Sequence, residues 1–443
     1  MTKPELWPHQ KKSLNKYRNT PKVFDMSDPG TGKTRAAIEA FAERGGRALI
    51  IAPKSLLEAA WAEDIKKFAP QLSYSIAYAS NREAAFSVAA DVYITNTDAA
   101  KWLGKQNKDF FSSFTTLIID ESSYFKHHTS QRSKSMRKIA KHFEYRALLT
   151  GTPTSRSITD IWHQALILDD GARLGTSFYK FREVVCRPEM KGQYTEWKDR
   201  PEARQSVAQI LQDVTIRHEF YKVMPHVPEN VEHFVKYKPS AKLMEQYRKL
   251  RDEALLMLKD GAISAVNAAV LRGKLLQLAS GSVYGENGKS HVIDSGRTDL
   301  VLDLIEQRQH SITFYNWDHQ REALVRGLTK RKISFAEITR NTKGADRGRI
   351  VKEYQDGQYQ TLIMHPQTGA HGLTLTRGTA TIWCSPNDRA DLIVQGKHRV
   401  LRGVQDKETE NVMVCAENTL EQGVYQRTEG KRNAMTELME LLQ

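Results

Sequence analysis

The feature that most constrains this chain is a glycine-rich segment, DPGTGKT, at residues 28–34. An apolar run, VFDM, precedes the segment, and a helical pattern, RAAIEAFAERGG, follows it. A strand, a glycine loop and a helix in this order form the context in which backbone N–H groups and the positive end of the helix bind phosphates. A chance GKT in a surface loop is the alternative, but it does not account for the flanking patterns. The sequence therefore predicts a nucleotide-phosphate loop.

The residues of this loop have distinct expected roles. The Lys33 ammonium is expected to reach the β and γ phosphates of ATP, and the Thr34 hydroxyl to bind Mg²⁺. Ser27 departs from the strict pattern, which places Gly or Ala five residues before the second glycine. The predicted nucleotide-binding residues of the loop are Gly30, Thr31, Gly32, Lys33 and Thr34.

Two adjacent acids follow a run of apolar β-formers in TTLIIDESS. Downstream of a phosphate loop, such a pair suits nucleotide hydrolysis, with Asp120 holding Mg²⁺ through water and Glu121 polarising the attacking water. A solvated acidic turn is the alternative. A later run, RALL, leads into TGTP, where Gly151 and the neighbouring hydroxyls suit a sensor of the γ-phosphate, with an ordinary turn as the alternative.

Other polar residues of the first half stand at the start of a helix or at the end of a strand. The Gln10 amide, which both donates and accepts, suits the N6 and N7 edge of adenine, although a solvated Gln at a helix start is equally compatible. Lys54 and Ser55 open a helical pattern, SLLEAAWAEDIKKF, and suit a phosphate of a nucleic acid. Thr95 ends the predicted strand DVYITN, at a ligand position of open parallel sheets.

Strand signals resume in the second half of the chain, in SITFY, ISFAEI, QTLIM, ATIWC and NVMVC. In QTGAHGLTLT, Gly369 and Gly372 would allow the backbone to approach a phosphate closely. Thr374, at the end of this loop, is expected to contact a nucleic acid. A plain glycine turn is the alternative.

Two arginines of the segment QGKHRVLRGVQ are candidate catalytic residues. Arg399 and Arg402 lie three residues apart, so on a helix they share a face, and a guanidinium pair neutralises charge on a transferring phosphoryl group. The alternative is a basic helix face that contacts solvent or DNA.

The bulk properties set outer bounds. A chain of 443 residues is long for a single hydrophobic core and predicts two or three domains. The net charge of +14 suggests a polyanionic partner, most plausibly nucleic acid. Three widely separated cysteines predict neither disulfides nor a zinc site. The absence of a membrane-length apolar run or signal-peptide pattern predicts a cytoplasmic protein with no membrane partner.

Taken in order, these motifs resemble the superfamily-two helicase-like ATPases, and among them the Swi/Snf chromatin-remodeller type. The discriminating features are PKSLL followed by Trp61 and LTGTP followed by Trp162. The resemblance implies an α/β fold of two RecA-like lobes with parallel sheets and helical protrusions. The expected lobes are residues 1–222, with a protrusion after about residue 155, and residues 223–443, with a helical insertion at about 240–280.

The resemblance also extends to the segment QGKHRVLRGVQ of the second half and to Arg217 near the end of the first lobe. Gln395, Arg399 and Arg402 fall at matching positions of the family's final motif, which implies a catalytic role for all three, and Gln405 matches as well. The chain departs from the family at Thr374, which replaces an asparagine, at Val404, which replaces a glycine, and at Ser122 and Ser123, which replace an Ala-His pair.

The resemblance implies a DNA-dependent ATPase that hydrolyses ATP between its lobes, with Mg²⁺, and moves along double-stranded DNA to remodel or displace bound factors. A strand-separating or branch-migrating helicase remains open, as does a nucleotide-gated nucleic-acid-binding protein with vestigial hydrolysis. The expected form is a monomeric motor without accessory domains, similar to phage and bacterial versions and located in the cytoplasm, or in the host cytoplasm if a phage encodes it. A protein cargo or partner remains open.

Overall fold

The computed structural model describes residues 4–154, 156–191, 194–259, 265–285, 289–369 and 373–441. The chain divides into two compact units. The first contains the chain up to Pro225, a short segment at Leu373 and the C-terminal stretch from Lys431. The second contains the remaining residues from His226 to Gly430. Among the described residues, no helix has the length and apolar character needed to cross a membrane.

The first unit is built on a seven-stranded sheet in the order β3-β4-β2-β5-β6-β1-β9. Every pairing in this sheet is parallel. Its strands are β1 (Lys22–Asp25), β2 (Ala48–Ala52), β3 (Tyr74–Ala77), β4 (Val92–Asn96), β5 (Thr116–Asp120), β6 (Tyr145–Leu149) and β9 (Thr215–Ile216), and an antiparallel hairpin of β7 (Cys186–Lys191) and β8 (Tyr194–Asp199) stands apart from it.

Helices connect these strands, as parallel pairing requires. They are α1 (Pro8–Asn19), α2 (Lys33–Arg44), α3 (Glu63–Phe68), α4 (Arg82–Ser87), α5 (Ala100–Leu103), α6 (Lys108–Phe111), α7 (Gln131–Ala140), α8 (Asp160–Asp169), α9 (Phe178–Val185), α10 (Ala203–Leu211) and α11 (Phe220–Val223). Short 3-10 turns lie at Lys54–Leu56, Thr97–Ala99, Ser122–Phe125 and Gln212–Val214.

The central strands of this sheet are apolar along their whole length because helices cover both faces. Every residue of β2 is buried, and Ile50 packs in one core with Phe41 of α2 and with Trp61. The continuous apolar runs that the sequence shows at β2, β4, β5 and β6 are therefore the signature of a buried parallel sheet.

Two segments of the first unit differ from the expected plain helices. The segment that begins at Lys54 is a 3-10 turn, then a π-helix at Leu57–Ala62, and only then α3. A π-helix has a wider turn than an α-helix and often marks a functional site. The region after residue 155 contains the β7–β8 hairpin as well as helices.

The second unit is built on a six-stranded sheet in the order β10-β17-β16-β13-β15-β14, again with parallel pairing throughout. Its strands are β10 (Asn230–Tyr237), β13 (Ser311–Phe314), β14 (Phe335–Ile338), β15 (Thr361–Met364), β16 (Ala380–Trp383) and β17 (Thr409–Ala416), beside an antiparallel pair, β11 (Ser282–Tyr284) and β12 (Ser290–Val292). The five strands predicted in the second half are confirmed.

The helices that begin in this unit surround a second core. They are α12 (Ala241–Lys259), α13 (Ala265–Ala279), α14 (Gly296–Glu306), α15 (Asp318–Arg331), α16 (Gly344–Gln355), α17 (Pro366–Gly369), α18 (Ala390–Lys397) and α19 (Glu421–Leu441). Leu243 and Tyr247 of α12 pack into this core with Ile363 and Val412 of the sheet. A covered parallel sheet in each unit is the RecA-like, two-lobe α/β architecture that the motifs imply.

Candidate active site

The sheet register of the first unit gathers the carboxyl ends of three strands at one edge. Asp25 at the end of β1 pairs with Leu149 of β6, and Leu149 pairs with Asp120 at the end of β5. The glycine-rich loop follows β1, the acids follow β5 and the TGTP turn follows β6. Three motifs that are distant in sequence therefore leave the sheet side by side, where open parallel sheets bind ligands.

The glycine-rich loop has the backbone that its sequence predicts. Gly30 and Gly32 have φ values of 89° and 84°, a left-handed conformation that glycine adopts without strain. A Cβ on Gly32 would also collide with the Gln10 amide. In the described chain no side chain caps α2, so its first N–H groups face the loop, as a phosphate site requires.

Lys33 lies folded over this loop. Its Nζ donates to the carbonyl oxygens of Ser27 at 2.6 Å and Asp28 at 3.0 Å. Burial lowers the pKa of Lys33, and the surrounding carboxylates, led by Asp25 and Glu121, oppose this shift. An ammonium held among loop carbonyls near carboxylates fits the phosphates of a magnesium nucleotide.

The loop is fastened to the end of the first unit. Arg217 donates to Asp28 Oδ1 at 2.6 Å, and the Phe220 N–H donates to Asp28 Oδ2 at 2.9 Å. The Ser27 hydroxyl, at the position that departs from the strict pattern, accepts from the His218 N–H at 3.1 Å. Ser27 is buried, so its hydroxyl serves this internal contact.

Helix α1 lies against the other side of the loop. His9 Nε2 donates to the Thr31 carbonyl at 2.8 Å. Gln10 Oε1 accepts from the Trp7 N–H at 3.1 Å, and its Nε2 lies 3.4 Å from the Thr31 carbonyl. Gln10 is thus beside the loop, as predicted, with its amide engaged by the backbone. Adenine recognition by Gln10 stays a prediction, and it would use the second lone pair of Oε1 beside the bond from Trp7.

The predicted acids occupy the end of β5 with fixed orientations. The indole Nε1–H of Trp61 donates to Asp120 Oδ2 at 2.9 Å, and the Glu121 N–H donates to Asp120 Oδ1 at 3.0 Å. Glu121 has a φ of 53°, a left-handed conformation that costs energy for a residue with a Cβ. Strain of this kind persists where the surroundings fix it, which is common in active sites.

The TGTP turn contacts the acid segment through side chains. The Thr150 hydroxyl lies 3.5 Å from Glu121 Oε2. The Ser122 hydroxyl donates to Gln164 Oε1 at 2.8 Å, and Gln164 Nε2 donates to the Pro153 carbonyl at 2.8 Å. Gly151 packs so closely on Pro29 of the glycine-rich loop that a Cβ would not fit without displacement.

The predicted nucleic-acid residues of the first unit have unequal access to a ligand. Lys54 is exposed and Ser55 half-buried at the start of the 3-10 turn. Thr95 is fully buried, and its hydroxyl donates to the Ala77 carbonyl of the neighbouring strand at 2.7 Å. The contact of Thr95 with nucleic acid stays a prediction, and it is not favoured by a buried hydroxyl that is bonded to the neighbouring strand.

The candidate catalytic residues of the second unit lie around the end of α18. Gln395 is buried within the helix, Arg399 is almost fully buried and Arg402 is half-exposed. The prediction that both arginines share a helix face is wrong, because α18 ends at Lys397. Beyond that point the Arg399 carbonyl accepts from the Leu375 N–H, and Arg399 Nε donates to the Gln395 carbonyl at 2.8 Å.

The glycine segment before Thr374 is described only in part. Gly372 lies outside the described residues, and Thr374 is exposed. Gly369 ends α17, and a Cβ there would overlap the Met364 sulfur. The absent side chain of Gly369 therefore serves packing within the second unit, which corresponds to the plain structural alternative.

The fold and this site define the class of protein: a P-loop ATPase with two RecA-like lobes. The model of the SNF2-related domain matches residues 9–280, more than half of the chain, and the chain therefore belongs to the SNF2-related family. It is a DNA-dependent ATPase of helicase superfamily two. The resemblance seen in the motifs is confirmed.

Individual proteins similar to the chain include viral and plant proteins. Protein p41 of Acyrthosiphon pisum secondary endosymbiont phage 1 is 24% identical over 98% of this chain and 98% of its own length. The ISWI chromatin-remodeling complex ATPase CHR11 of Arabidopsis thaliana is 25% identical over 93% of this chain, which spans only 40% of that relative. The solved Sulfolobus solfataricus SWI2/SNF2 ATPase core in complex with dsDNA has a TM-score of 0.46 and 19% identity, over 98% of this chain and 93% of that one.

Four residues of the site were not identified as site residues from sequence. Trp61 marks the family and its spacing indicates only a packing face, Arg217 is indicated only by its position, and His218 carries no signal. Polar residues in otherwise apolar patterns are the available clue, since Gln164 stands in the wholly buried helix α8. Its partner, however, lies 42 residues away and is set by the fold alone.

Proposed function

We propose that the chain is an ATP-driven translocase that moves along double-stranded DNA and displaces or remodels what is bound there. The observation that carries the proposal is the convergence of Lys33, Asp120 and Glu121 at one edge of the first sheet. The carboxylates influence the Lys33 ammonium directly, so the three groups share one electrostatic environment. This is the arrangement that phosphoryl transfer to water requires.

The first unit, which we infer to be the lobe at about residues 1–222, would bind and hydrolyse ATP. Lys33 and the N–H groups of Gly30 to Gly32 would bind the phosphates. Thr34 and Asp120 would hold Mg²⁺, which neutralises charge on the phosphate oxygens when bound. Glu121 would orient and polarise the attacking water. Trp61 keeps Asp120 in one orientation through its indole N–H.

The second unit, at about residues 223–443, would supply the positive charge that hydrolysis needs. Arg402 is half-exposed, so its guanidinium is able to meet a ligand, whereas Arg399 is largely enclosed and bonded to the Gln395 carbonyl. We therefore infer that Arg402 contacts the nucleotide and that Gln395 and Arg399 position the segment. Coupled closing of two lobes around a nucleotide then yields a step along the track.

Contacts to the DNA backbone would come from Lys54 and Ser55 of the first unit and from Thr374 of the second. All three are exposed or half-buried and would contact phosphates, which carry no sequence information. The net charge of +14 supports a salt-dependent affinity for nucleic acid. The preference for duplex DNA rests on the family and on the name of the remodelling relative.

The experiment that tests the proposal is the ATPase rate without nucleic acid and with single-stranded DNA, linear duplex DNA or RNA, each at two salt concentrations. Strongest stimulation by duplex DNA, weakened by salt, supports the proposal. Strongest stimulation by single strands, together with strand separation in a displacement assay, favours an unwinding helicase instead. ATP binding without turnover under all conditions favours a nucleotide-gated binding protein.

A further inference from the structure

A cavity of about 430 Å³ lies in the first unit, away from the glycine-rich loop. Its walls come from α7, from α8 and from the start of α9, together with His128 before α7. Its volume falls in the range of small-molecule sites in proteins. None of the predicted ATP or DNA residues lines it, so the proposed function leaves it unexplained.

Aromatic rings form one part of the cavity wall. The His128 imidazole stacks on the Phe178 ring, with centroids 4.0 Å apart and an interplanar angle of 26°. Trp162 meets the edge of Phe178 at 5.6 Å and is almost completely buried. Tyr179, beside Phe178, is 60% exposed, although a tyrosine ring in a monomer is more often covered. The Arg182 guanidinium lies 5.3 Å from the centroid of the Tyr179 ring, and the rest of this exposed side chain is open to a ligand at the cavity mouth.

Cations form the rest of the wall. Lys134 and Arg137 of α7 line the cavity, and Arg182 of α9 lies 5.8 Å from the centroid of the Phe178 ring. Arg182 also stacks on Trp197 at 3.9 Å. Over the described parts of the chain, none of these three cations forms an ion pair with a carboxylate. Within the described chain, no carboxylate therefore neutralises the positive charge of these three side chains in an ion pair.

The pKa values of both cavity histidines, His128 and His163, are lowered by burial and by neighbouring positively charged groups. Burial lowers the pKa of His128, and the neighbouring His127, Lys134 and Arg182 lower it further. Burial lowers the pKa of His163 to about 4, with a further contribution from Arg137, against the hydrogen bond to the Phe125 carbonyl. The permanent charges that act on these imidazoles belong to Lys134, Arg137 and Arg182, so together with the geometry of the wall they favour an anion.

We propose that this cavity binds an unstacked nucleobase together with its phosphate. The base would stack on the rings of Tyr179 and Phe178, and the phosphate would meet Lys134 and Arg137. Stacking on aromatic side chains next to cations is how proteins hold single-stranded nucleic acid without reading its sequence. The inference rests on the proposed function, because a DNA motor encounters single-stranded tails and gaps adjoining duplex.

An acidic peptide with an aromatic side chain is the competing occupant. The described cavity walls favour a nucleotide, because cations and rings dominate the lining and the only neutral acceptors among its side chains are the imidazoles and the hydroxyls of Thr176, Ser177 and Tyr179. A base with its phosphate needs only contacts to rings and to cations. A free nucleotide also carries a base and a phosphate. The test therefore distinguishes a free nucleotide from a nucleotide of a single-stranded tail.

The test compares binding of a fluorescent blunt duplex with binding of the same duplex carrying a single-stranded thymidine tail, by anisotropy without ATP. The full chain should bind the tailed duplex more tightly. Tyr179→Ala and the double variant Lys134→Ala/Arg137→Ala should lose that preference, by roughly 5- to 100-fold in affinity for the tail. Lys180→Ala is the matched control, since Lys180 is exposed beside Tyr179 but does not line the cavity, and it should keep the preference.

Several outcomes would overturn the proposal. Equal affinity for both duplexes would do so, as would equal loss in Lys180→Ala, which would indicate general charge. Competition by an acidic aromatic peptide but not by thymidine oligonucleotide would assign the cavity to a protein. Competition by thymidine monophosphate as strong as that by the oligonucleotide would identify a free nucleotide as the ligand. It would overturn the proposal that the cavity binds a single-stranded tail.

A photo-crosslink gives a second readout that does not depend on the variants folding. A 5-iododeoxyuridine tail should crosslink to Tyr179 or Phe178, identified by mass spectrometry, and crosslinks confined to other residues would contradict the proposal. Parallel duplex-stimulated ATPase assays separate the two hypotheses. Intact stimulation without tail binding rejects the cavity proposal alone, whereas tail binding without stimulation rejects the translocase alone.

Discussion

The Ser122 hydroxyl donates a 2.8 Å hydrogen bond to Gln164, whose amide nitrogen donates in turn to the Pro153 carbonyl at 2.8 Å. Ser122 and Gln164 are both buried. The first partner directly follows Glu121, and the last lies in the TGTP turn. Ser122 and Gln164 therefore form a polar connection between the two motifs.

Gln164→Leu should therefore uncouple the two motifs. It leaves the Ser122 hydroxyl and the Pro153 carbonyl buried without their partner, which should lower the free energy of unfolding by about 1–3 kcal/mol. The DNA-stimulated kcat should fall while KM for ATP stays unchanged. Urea unfolding and steady-state ATPase assays measure the two effects.

The double variant Ser122→Ala/Gln164→Leu separates structure from coupling. The double variant removes the unpartnered Ser122 hydroxyl and should recover that part of the stability, while the Pro153 carbonyl stays without its donor. If kcat recovers in parallel with stability, the connection is structural only. A stable double variant with a low kcat would establish the coupling role.

Trp61→Phe should weaken magnesium binding while preserving the core. The change keeps an aromatic ring in a fully buried position but removes the N–H that orients Asp120 Oδ2. Loss of such an orienting bond typically costs 10- to 100-fold in metal affinity, so about tenfold more Mg²⁺ should be needed for half-maximal ATPase activity. Trp102→Phe, a half-buried tryptophan stacked on Phe86, serves as the control. An unchanged Mg²⁺ requirement would contradict the role of Trp61.

Glu121→Gln should stop hydrolysis but keep nucleotide binding. The amide preserves shape and cannot accept a proton, and loss of a general base typically slows turnover by about 10²- to 10⁴-fold. Single-turnover ATPase rates and binding of a fluorescent ATP analogue test the two halves of this expectation. Glu83→Gln, on the exposed face of α4, is the control and should be silent. Normal turnover in Glu121→Gln would show that the acid has been misassigned.

The two arginines of the second unit should give different phenotypes. Arg402→Ala should cut turnover by up to about 10³-fold and should lower stability less than Arg399→Ala, because Arg402 is half-buried and Arg399 is almost fully buried. Arg399→Ala should lower both turnover and the melting temperature, because Arg399 is 3% exposed and bonded to the Gln395 carbonyl. Arg326→Ala, an exposed position on α15, is the control. Turnover loss in Arg399→Ala alone would reverse the assignment.

The sequence is sufficient to predict both parallel sheets, because strands covered on both faces are apolar throughout, as in Ala48–Ala52. It is also sufficient for the glycine-rich loop, since only glycine adopts the backbone at Gly30 and Gly32 without strain. These features depend on residues that are adjacent in the sequence, so short sequence patterns are enough to predict them.

Contacts between segments that are distant in the sequence cannot be predicted from such patterns. The burial of Thr95 depends on the neighbouring strand β3, and the end of α18 depends on the pairing of Arg399 with Leu375. The Trp61 indole reaches Asp120 only because a π-helix and a strand end at the same edge of the sheet. In each case the sequence indicates the residue type but not its partner.

The Arg217–Asp28 ion pair joins residues 189 positions apart, so the glycine-rich loop depends on residues near the end of the first unit. A fragment that stops before β9 would lose both Arg217 and the Phe220 N–H and leave the Asp28 carboxylate without those two contacts. The shortest fragment able to fold around ATP must therefore run through Phe220. A cut between Phe220 and the start of β10 at Asn230 would keep these two contacts, but it would still remove the C-terminal stretch from Lys431 that belongs to the first unit.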